Sequence, residues 1–309
     1  MTSKQQFFAH IGALAIVLAL LAWTIFHFNP YGILGGIDEP EDETGVQIPI
    51  LMYHHFELEE ELNYGTMISG EMFESQIKAL SEAGYNSISF EQLVGFVSGT
   101  ALLPVNPFII TIDDGYLSVY EVAFPILKKY GMQATVFIIG ISHGKSYYKD
   151  TDHEILPRFN DEQALEMVQS GLISIQSHSY DMHQFEAYED GPFRQGVLQM
   201  EGESNKDYIQ AFIFDFVQAA SQIEDMVGKR PFVYSYPYGL SNDMTDGLLR
   251  DLGVKVTLTI EEGVNSVEIG SPGALFRMNR INIPGFMTPE AIVGLMIMEW
   301  NQEEQEETE

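Results

Sequence analysis

Short apolar runs alternate with amphipathic patterns from Ile48 to residue 299, and this alternation leaves few folds open to the chain. The predicted strands are 48–53, 86–90, 108–112, 133–139, 172–176, 232–236, 254–259 and 280–283. The predicted helices are 71–83, 91–98, 117–130 with a kink or break at Pro125, 161–170, 207–227, 243–252 and 288–299. Strands that alternate with helices predict an α/β fold with a parallel sheet and right-handed crossovers. Seven or eight such units in about 260 residues indicate a closed or nearly closed barrel.

Polar side chains that can bind ligands collect directly after the predicted strands. They are His54 and His55, then Asp113-Asp114-Gly115, then the stretch from Ser177 to His183, and then Pro237-Tyr238-Gly239. Asp-Gly is also a common turn dipeptide, so the dipeptide alone favours a solvated turn. In parallel barrels, however, the carboxyl ends of the strands carry the active site. The shared position of these residues therefore favours a catalytic role for the two aspartates.

One aspartate and two histidines of this set suit a metal ion. Neutral imidazoles of His178 and His183 with the carboxylate of Asp114 make a three-ligand set for Zn²⁺ that leaves a position open for water. Asp113 is then placed to take a proton from that water, and a histidine at the same face would protonate the leaving group. Asp181, between the two histidines, is either a support for a ligand or a turn residue. Together these groups predict metal-assisted hydrolysis of an amide or ester.

Three motifs, in this order and spacing, resemble those of the polysaccharide deacetylase family, the NodB-homology domain of carbohydrate esterase family 4. They are TIDDG at 111–115, SHSYDMH at 177–183 and SYPYG at 235–239. PILMYHHF at 49–56 and EGESNKDY at 201–208 further resemble the subgroup that includes biofilm poly-N-acetylglucosamine deacetylases. The resemblance covers about residues 46–299. It implies a distorted (β/α) barrel short of eight full units, one divalent metal ion, most simply Zn²⁺, and removal of acetyl groups from polymers that contain N-acetylglucosamine.

The resemblance also assigns roles to individual residues. Asp113 matches the catalytic base, and Asp114, His178 and His183 match the metal ligands. The backbone N–H of Tyr238 would help to stabilise the tetrahedral oxyanion. The two histidines are five residues apart rather than the usual four, a spacing that resembles the biofilm subgroup.

The sequence departs from the common family pattern at two places. Ser235 stands where the third motif usually has an arginine that orients the base, and Arg280 is a candidate replacement. The usual late histidine, the general acid, is missing, and Asn282 stands near its position. In the biofilm subgroup the equivalent histidine comes from the first strand. This arrangement points to His54 as the acid, with His55 as the less favoured neighbour.

The N-terminal residues predict a membrane anchor. Residues 7–28 are mostly apolar, and 22 residues of helix span about 33 Å, enough for a hydrocarbon core of about 30 Å. Lys4 precedes this stretch and acidic residues follow it, which predicts a single-pass protein with its domain outside the cell. A cleaved signal peptide is the alternative, although the apolar stretch is long for one. The predicted organisation is anchor 1–28, acidic tether 29–47, catalytic domain 48–299 and acidic tail 300–309.

The charge balance excludes one class of partner. A net charge of −30 argues against nucleic acid, because phosphate binding needs a basic face. The chain has no cysteine, so thiol chemistry and disulfides are excluded as well.

We therefore expect a membrane-anchored, extracellular, metal-dependent polysaccharide N-deacetylase. A relative that only binds glycan at the cell surface is the alternative, because the motif arginine and the late histidine are missing. A glycoside hydrolase fits poorly, since adjacent aspartates cannot flank a glycosidic bond from carboxyls about 5–10 Å apart. Biofilm polysaccharide and peptidoglycan both contain N-acetylglucosamine, so the sequence leaves the polymer open.

Overall fold

The structure is a computed structural model that describes residues 45–57, 65–189 and 191–296. The predicted membrane anchor at 7–28, the tether as far as residue 44 and the acidic tail at 300–309 lie outside these residues. Within the described ranges, no helix combines the length and the apolar character needed to cross a membrane.

Twelve strands and seven α-helices make up the described part of the chain. The strands are β1 (Val46–Ile48), β2 (Ile50–Tyr53), β3 (His55–Glu57), β4 (Met67–Ser69), β5 (Asn86–Ser87), β6 (Pro107–Ile112), β7 (Ala134–Ile138), β8 (Ile173–Ser177), β9 (Val233–Ser235), β10 (Val256–Leu258), β11 (Asn265–Val267) and β12 (Ile281–Asn282). The helices are α1 (Gly70–Glu82), α2 (Phe90–Val97), α3 (Phe124–Tyr130), α4 (Asp161–Gln169), α5 (Asn205–Val227), α6 (Asp243–Asp251) and α7 (Pro289–Met296).

The main sheet is parallel and curves until its two edges meet. Its strands follow the order β10-β9-β8-β7-β6-β2-β12, and β5 pairs with the beginning of β6. Every pairing in this sheet is parallel. Met278, just before β12, also forms a parallel bridge with Leu258 of β10. The segment 278–282 therefore pairs with β2 and also bridges to β10 at the opposite edge, and the parallel sheet with its helices agrees with the predicted distorted barrel.

Local signals fix where the helices begin. The Ser69 side chain accepts a hydrogen bond from the Met72 amide at the start of α1. Capping boxes, in which a cap side chain and the residue three positions later bond each other's backbone amides, start α2, α4 and α6. All six residues of β6 are buried, as expected for a parallel strand covered on both faces. The ends of strands and helices are therefore well defined around the site.

Two strand predictions from the sequence were wrong in part. The predicted first strand at 48–53 is two strands, because Pro49 separates β1, which pairs antiparallel with β11, from β2 in the main sheet. The strand predicted at 86–90 ends at Ser87, because Ser89 caps helix α2. The helix predicted at 117–130 is interrupted next to Pro125, as expected: a π-helical turn at Val119–Ala123 precedes α3, which begins at Phe124.

The strand order brings the polar residues to one end of the sheet. His54 follows β2, Asp113 follows β6, His178 follows β8 and Tyr236 follows β9. Strands β2 and β6 are neighbours, and so are β8 and β9, with β7 between the two pairs. Four of these five adjacent parallel strands thus carry, at or just after their carboxyl ends, the residues singled out in the sequence.

We expect Leu51→Ala to lower the free energy of unfolding by about 2–5 kcal/mol, because it leaves a cavity in the centre of the core. Leu51 is 0% exposed on β2, between β6 and β12. Leu102→Ala is the matched control: Leu102 is 88% exposed, and its loss is expected to cost less than about 0.5 kcal/mol. Denaturant unfolding of both variants measures the difference, and equal losses would contradict this description of the core.

Candidate active site

The two aspartates lie in a tight turn that is buried rather than solvated. The Asp113 amide donates to the Tyr53 carbonyl on the neighbouring strand at 2.9 Å. Asp114 and Gly115 both have positive φ, 74° and 69°. A Cβ at Gly115 would lie 2.9 Å from a methyl carbon of Ile138, so glycine is required there. Asp113 is 2% exposed and Asp114 9%, which excludes the solvated turn that the dipeptide alone favoured.

Asp114, His178 and His183 meet at the carboxyl end of the sheet. One ligand atom from each lies within 4.8 Å of the others. Asp114 Oδ1 is 3.7 Å from His178 Nε2 and 3.8 Å from His183 Nε2. These spacings exceed direct hydrogen bonds, and they leave room for an ion at about 2.0–2.2 Å from each atom.

The hydrogen bonds of this cluster leave lone pairs that suit a metal ion. His178 Nδ1 is 2.8 Å from the Ser235 carbonyl, which can only accept, so Nδ1 carries the proton and Nε2 presents its lone pair to Asp114. Among the described residues, the buried Asp114 Oδ1 has no hydrogen-bond partner. A buried carboxylate oxygen without a partner is costly unless a cation or donor approaches it.

The charge states at neutral pH also fit a metal site. Burial raises the pKa of Asp114, but the neighbouring His183 imidazole, the Arg158 guanidinium and the imidazoles of His54 and His178 bring this pKa well below its usual range. Burial lowers the pKa of His183 to about 4, although the Asp114 carboxylate opposes the shift. The cluster therefore offers an ionised carboxylate and a neutral imidazole, the forms that bind divalent metals.

Asp113 is held by a buried arginine. Arg280 donates from Nη1 to Asp113 Oδ1 at 2.8 Å and from Nη2 to Oδ2 at 2.9 Å, and its Nε donates to the Thr259 carbonyl at 2.7 Å. Burial raises the pKa of Asp113, but Arg280 and nearby histidines outweigh this effect and bring the pKa below its usual value. Ser235, where the motif arginine was expected, donates more weakly to Asp113 Oδ2 at 3.4 Å. Arg280 thus occupies the place that the sequence proposed for it.

The two histidines after β2 differ in their contacts. His55 Nε2 lies 2.8 Å from Glu57, and its Nδ1 lies 2.9 Å from the Ser118 hydroxyl. His54 Nδ1 is buried and, within the described ranges, makes no hydrogen bond. Burial raises the pKa of both Asp113 and Asp114, and His54 is among the groups that lower it, which places its imidazole near the two carboxylates.

Of the other two predicted residues, Tyr238 packs against the metal loop and Asp181 lies within it. Tyr238 has a positive φ of 59°, its ring centre is 4.3 Å from that of His183, and its hydroxyl donates to the Gln184 carbonyl at 2.7 Å. Asp181 points away from the cluster to Lys149, with 3.0 Å between Oδ1 and Nζ.

Two residues beside the site, Arg158 and Asp215, were not predicted from the sequence. The Arg158 guanidinium lies 3.7 Å above the Tyr116 ring, and its charge lowers the pKa of Asp114 against the effect of burial. Asp215, on α5, accepts from two amides of the loop between the histidines. Only Asp215 had a signal in the sequence, because it is a carboxylate on the apolar stripe of an amphipathic helix.

The chain is similar to known polysaccharide deacetylases. The family model described as polysaccharide deacetylase matches residues 103–257. A putative polysaccharide deacetylase of Bacillus subtilis (strain 168), YxkH, is 26% identical over 263 residues, covering 82% of this chain and 81% of that protein. The poly-β-1,6-N-acetyl-D-glucosamine N-deacetylase of Staphylococcus aureus (strain MRSA252) is 27% identical over 195 residues, covering 63% of this chain and 61% of that protein.

A solved structure shares the fold. The Streptococcus pyogenes deacetylase PplD, in complex with acetate, aligns with a TM-score of 0.62 and 25% identity. The alignment covers 82% of this chain and 99% of that chain.

We expect Arg280→Met to lower the free energy of unfolding by about 3–5 kcal/mol, because it leaves the Asp113 carboxylate buried without its partner. The double variant Asp113→Asn/Arg280→Met leaves no charge and is expected to recover part of that loss. Denaturant unfolding of both single variants and the double variant measures the coupling. Strictly additive losses would contradict a direct ion pair.

Proposed function

Because the chain belongs to the polysaccharide deacetylase family, we propose that it is a metal-dependent hydrolase that removes N-acetyl groups from a polysaccharide containing N-acetylglucosamine. The observation that carries this proposal is the buried Asp114–His178–His183 cluster beside the Asp113–Arg280 ion pair. The activity in the name of the staphylococcal relative and the acetate in the streptococcal structure support it.

Asp114, His178 and His183 would hold the ion, and their oxygen and nitrogen donors suit Zn²⁺. When bound, such an ion polarises the acetyl carbonyl and lowers the pKa of a water molecule. His178 is oriented for this role by its bond to the Ser235 carbonyl.

Asp113 is the proposed base. Its Oδ2 lies 3.8 Å from His178 Nε2, so the carboxylate borders the place where the attacking water would stand. Arg280 binds both of its oxygens and keeps it ionised at neutral pH. The arginine also fixes the carboxylate in one orientation, which general base catalysis requires. Arg280 would thus replace the motif arginine that is absent at Ser235.

His54 is the proposed acid that protonates the leaving amine. Both ring nitrogens of His55 contact Glu57 and Ser118, whereas His54 Nδ1 is without a partner in the described part of the chain. The backbone N–H of Tyr238 is the proposed donor to the oxyanion of the tetrahedral intermediate. Tyr238 lies beside His183 and has a positive φ.

The presence of a base, an acid and a ligand set favours catalysis over glycan binding alone. A pure binding protein has no need of a buried carboxylate oxygen without a hydrogen-bond partner, such as Asp114 Oδ1 among the described residues. The arginine whose absence from the motif suggested an inactive relative has a counterpart in Arg280.

We also propose that the domain lies outside the cell, attached by residues 7–28. This proposal rests on the sequence of that stretch, which is mostly apolar and follows Lys4. Membrane fractionation and protease treatment of intact cells test it, with a variant lacking residues 1–28 for comparison.

Acetate release tests the activity directly. The purified protein is incubated with β-1,6-linked N-acetylglucosamine oligomers and, separately, with peptidoglycan, each with and without added Zn²⁺. We expect release that depends on the metal, and the better substrate identifies the polymer. Asp113→Asn is expected to lower turnover by about 10²-fold or more. Absence of release from both polymers would leave glycan binding as the better hypothesis.

We expect His178→Ala to lose stoichiometric metal, because a buried site with one carboxylate and one imidazole lacks a third ligand. His143→Ala is the control, since His143 is also a buried imidazole but binds Asp161, away from the cluster. Elemental analysis after dialysis measures the ion per chain. Metal retained by His178→Ala would contradict the proposed ligand set.

We expect His54→Ala to lower turnover by about 10²-fold or more while metal content stays unchanged, because the leaving amine loses its proton donor. His55→Ala is the matched neighbour. It should lose stability, since its contacts to Glu57 and Ser118 disappear. Acetate release and thermal melting separate the two effects. An active but unstable His54→Ala protein would make His54 structural, and inactivity confined to His55→Ala would exchange their roles.

A further inference from the structure

The loop that carries the two histidines is held on one side by backbone hydrogen bonds. Ser179, directly after His178, has a positive φ of 75°. The carbonyls of Ser179 and Tyr180 accept from the amides of Gly140 and Ile141 at 3.0 and 2.8 Å. A Cβ at Gly140 would come within 2.6 Å of the Tyr180 ring, so the two segments are in close contact.

On the other side, a single carboxylate holds the loop. Asp215 Oδ1 accepts from the Tyr180 amide at 2.9 Å, and Oδ2 accepts from the Asp181 amide at 2.6 Å. Two successive amides are thus satisfied by one side chain that is 35 and 34 residues away in the chain. Both oxygens are engaged at once, and this fixes the plane of the carboxylate relative to the loop.

Asp215 itself is rigidly placed. It is 6% exposed on α5, whose buried face also carries Phe212, Phe216 and Ala219. This helix packs against β8, the strand that ends immediately before His178. The same core helix therefore determines where the carboxylate stands and where the loop begins.

The chain keeps this charge in the core against the cost of burial. Burial raises the pKa of Asp215 to about 6, although the two loop amides lower it. At neutral pH the group is mostly ionised, and a buried carboxylate is stabilised chiefly by the donors that it finds. Those donors are the loop amides, so the burial of Asp215 is explained by the loop rather than by packing of the helix.

We propose that Asp215 is a positioning residue that sets the distance between His178 and His183 and thereby the affinity of the site for its metal ion. Among the described residues its carboxylate hydrogen-bonds to the amides of Tyr180 and Asp181 and to none of the proposed ligands' donor atoms, so it acts through the loop backbone. The inference rests on the proposed function, because it assumes that the histidines bind a metal.

Asp215→Asn is the test variant. It keeps the volume of the side chain, but its NH₂ group must face one of the two amides, so one hydrogen bond is replaced by a contact between donors. We expect affinity for Zn²⁺, measured by competition with a chromogenic chelator, to fall by about 10-fold or more. We also expect a changed visible absorption spectrum with Co²⁺ in place of Zn²⁺, since the spectrum reports coordination geometry.

Two control variants separate positioning from general effects. Asp225→Asn removes the same charge from an exposed position on the same helix and should leave metal affinity unchanged. Phe212→Leu loosens the packing of α5 but keeps the Asp215 carboxylate. It therefore serves as a control for any thermal destabilisation that Asp215→Asn causes. We expect it to melt at a lower temperature and still bind Zn²⁺ and Co²⁺ as the unsubstituted protein does.

The outcomes distinguish this inference from the proposed function. Wild-type affinity and an unchanged Co²⁺ spectrum in Asp215→Asn would overturn the positioning role while the metal site stands. An equal loss of affinity in Phe212→Leu would also overturn it, because helix packing alone would then explain the effect. If the unsubstituted chain binds no metal, or if His178→Ala binds it equally well, the proposed metal site fails and this inference fails with it.

Discussion

The bidentate ion pair between Asp113 and Arg280 is the interaction on which the site depends. It joins the turn after β6 to the segment that precedes β12, and Arg280 is also anchored to the Thr259 carbonyl just after β10. Arg280 and Asp113 are both buried, so removal of either charge alone would leave the other charge unpaired in the core. The same contact that keeps the proposed catalytic base ionised therefore also contributes to holding the sheet together.

Much of the fold followed from local patterns, and the remainder depended on distant contacts. Buried strands such as β6 are continuous apolar runs, and amphipathic helices such as α5 show their period directly. The split at Pro49 was less visible, because an apolar run on both sides reads as one strand until its two partners are known. Likewise, Ser89 is compatible with a strand or with a helix cap. In the structure it forms a capping box with Gln92, so the helix begins there.

The site also contains residues that local sequence patterns indicate and residues that only distant contacts reveal. Asp113, Asp114, His178 and His183 could be identified because each follows a strand, and parallel strands bring their carboxyl ends together. The roles of supporting residues depend on side-chain geometry that no spacing encodes. His54 and His55 are adjacent, and only their different hydrogen bonds distinguish them. Arg158 approaches from another segment with no local signal, and the position of Asp215 on an apolar helix stripe marks it as unusual without showing which loop it binds.

The closure of the sheet has a consequence for synthesis of the chain. Strand β2 leaves the ribosome more than two hundred residues before its neighbour β12, as the pairing of Leu51 with Ile281 requires. Until then, one edge of β2 is exposed and the Asp113 carboxylate has no guanidinium beside it. Contacts of such sequence separation form late, and partly folded chains with open strand edges tend to associate. Release of the segment that contains Arg280 and β12 is therefore the event that completes both the sheet and the Asp113 ion pair, and a nascent chain stalled before it would need protection from aggregation.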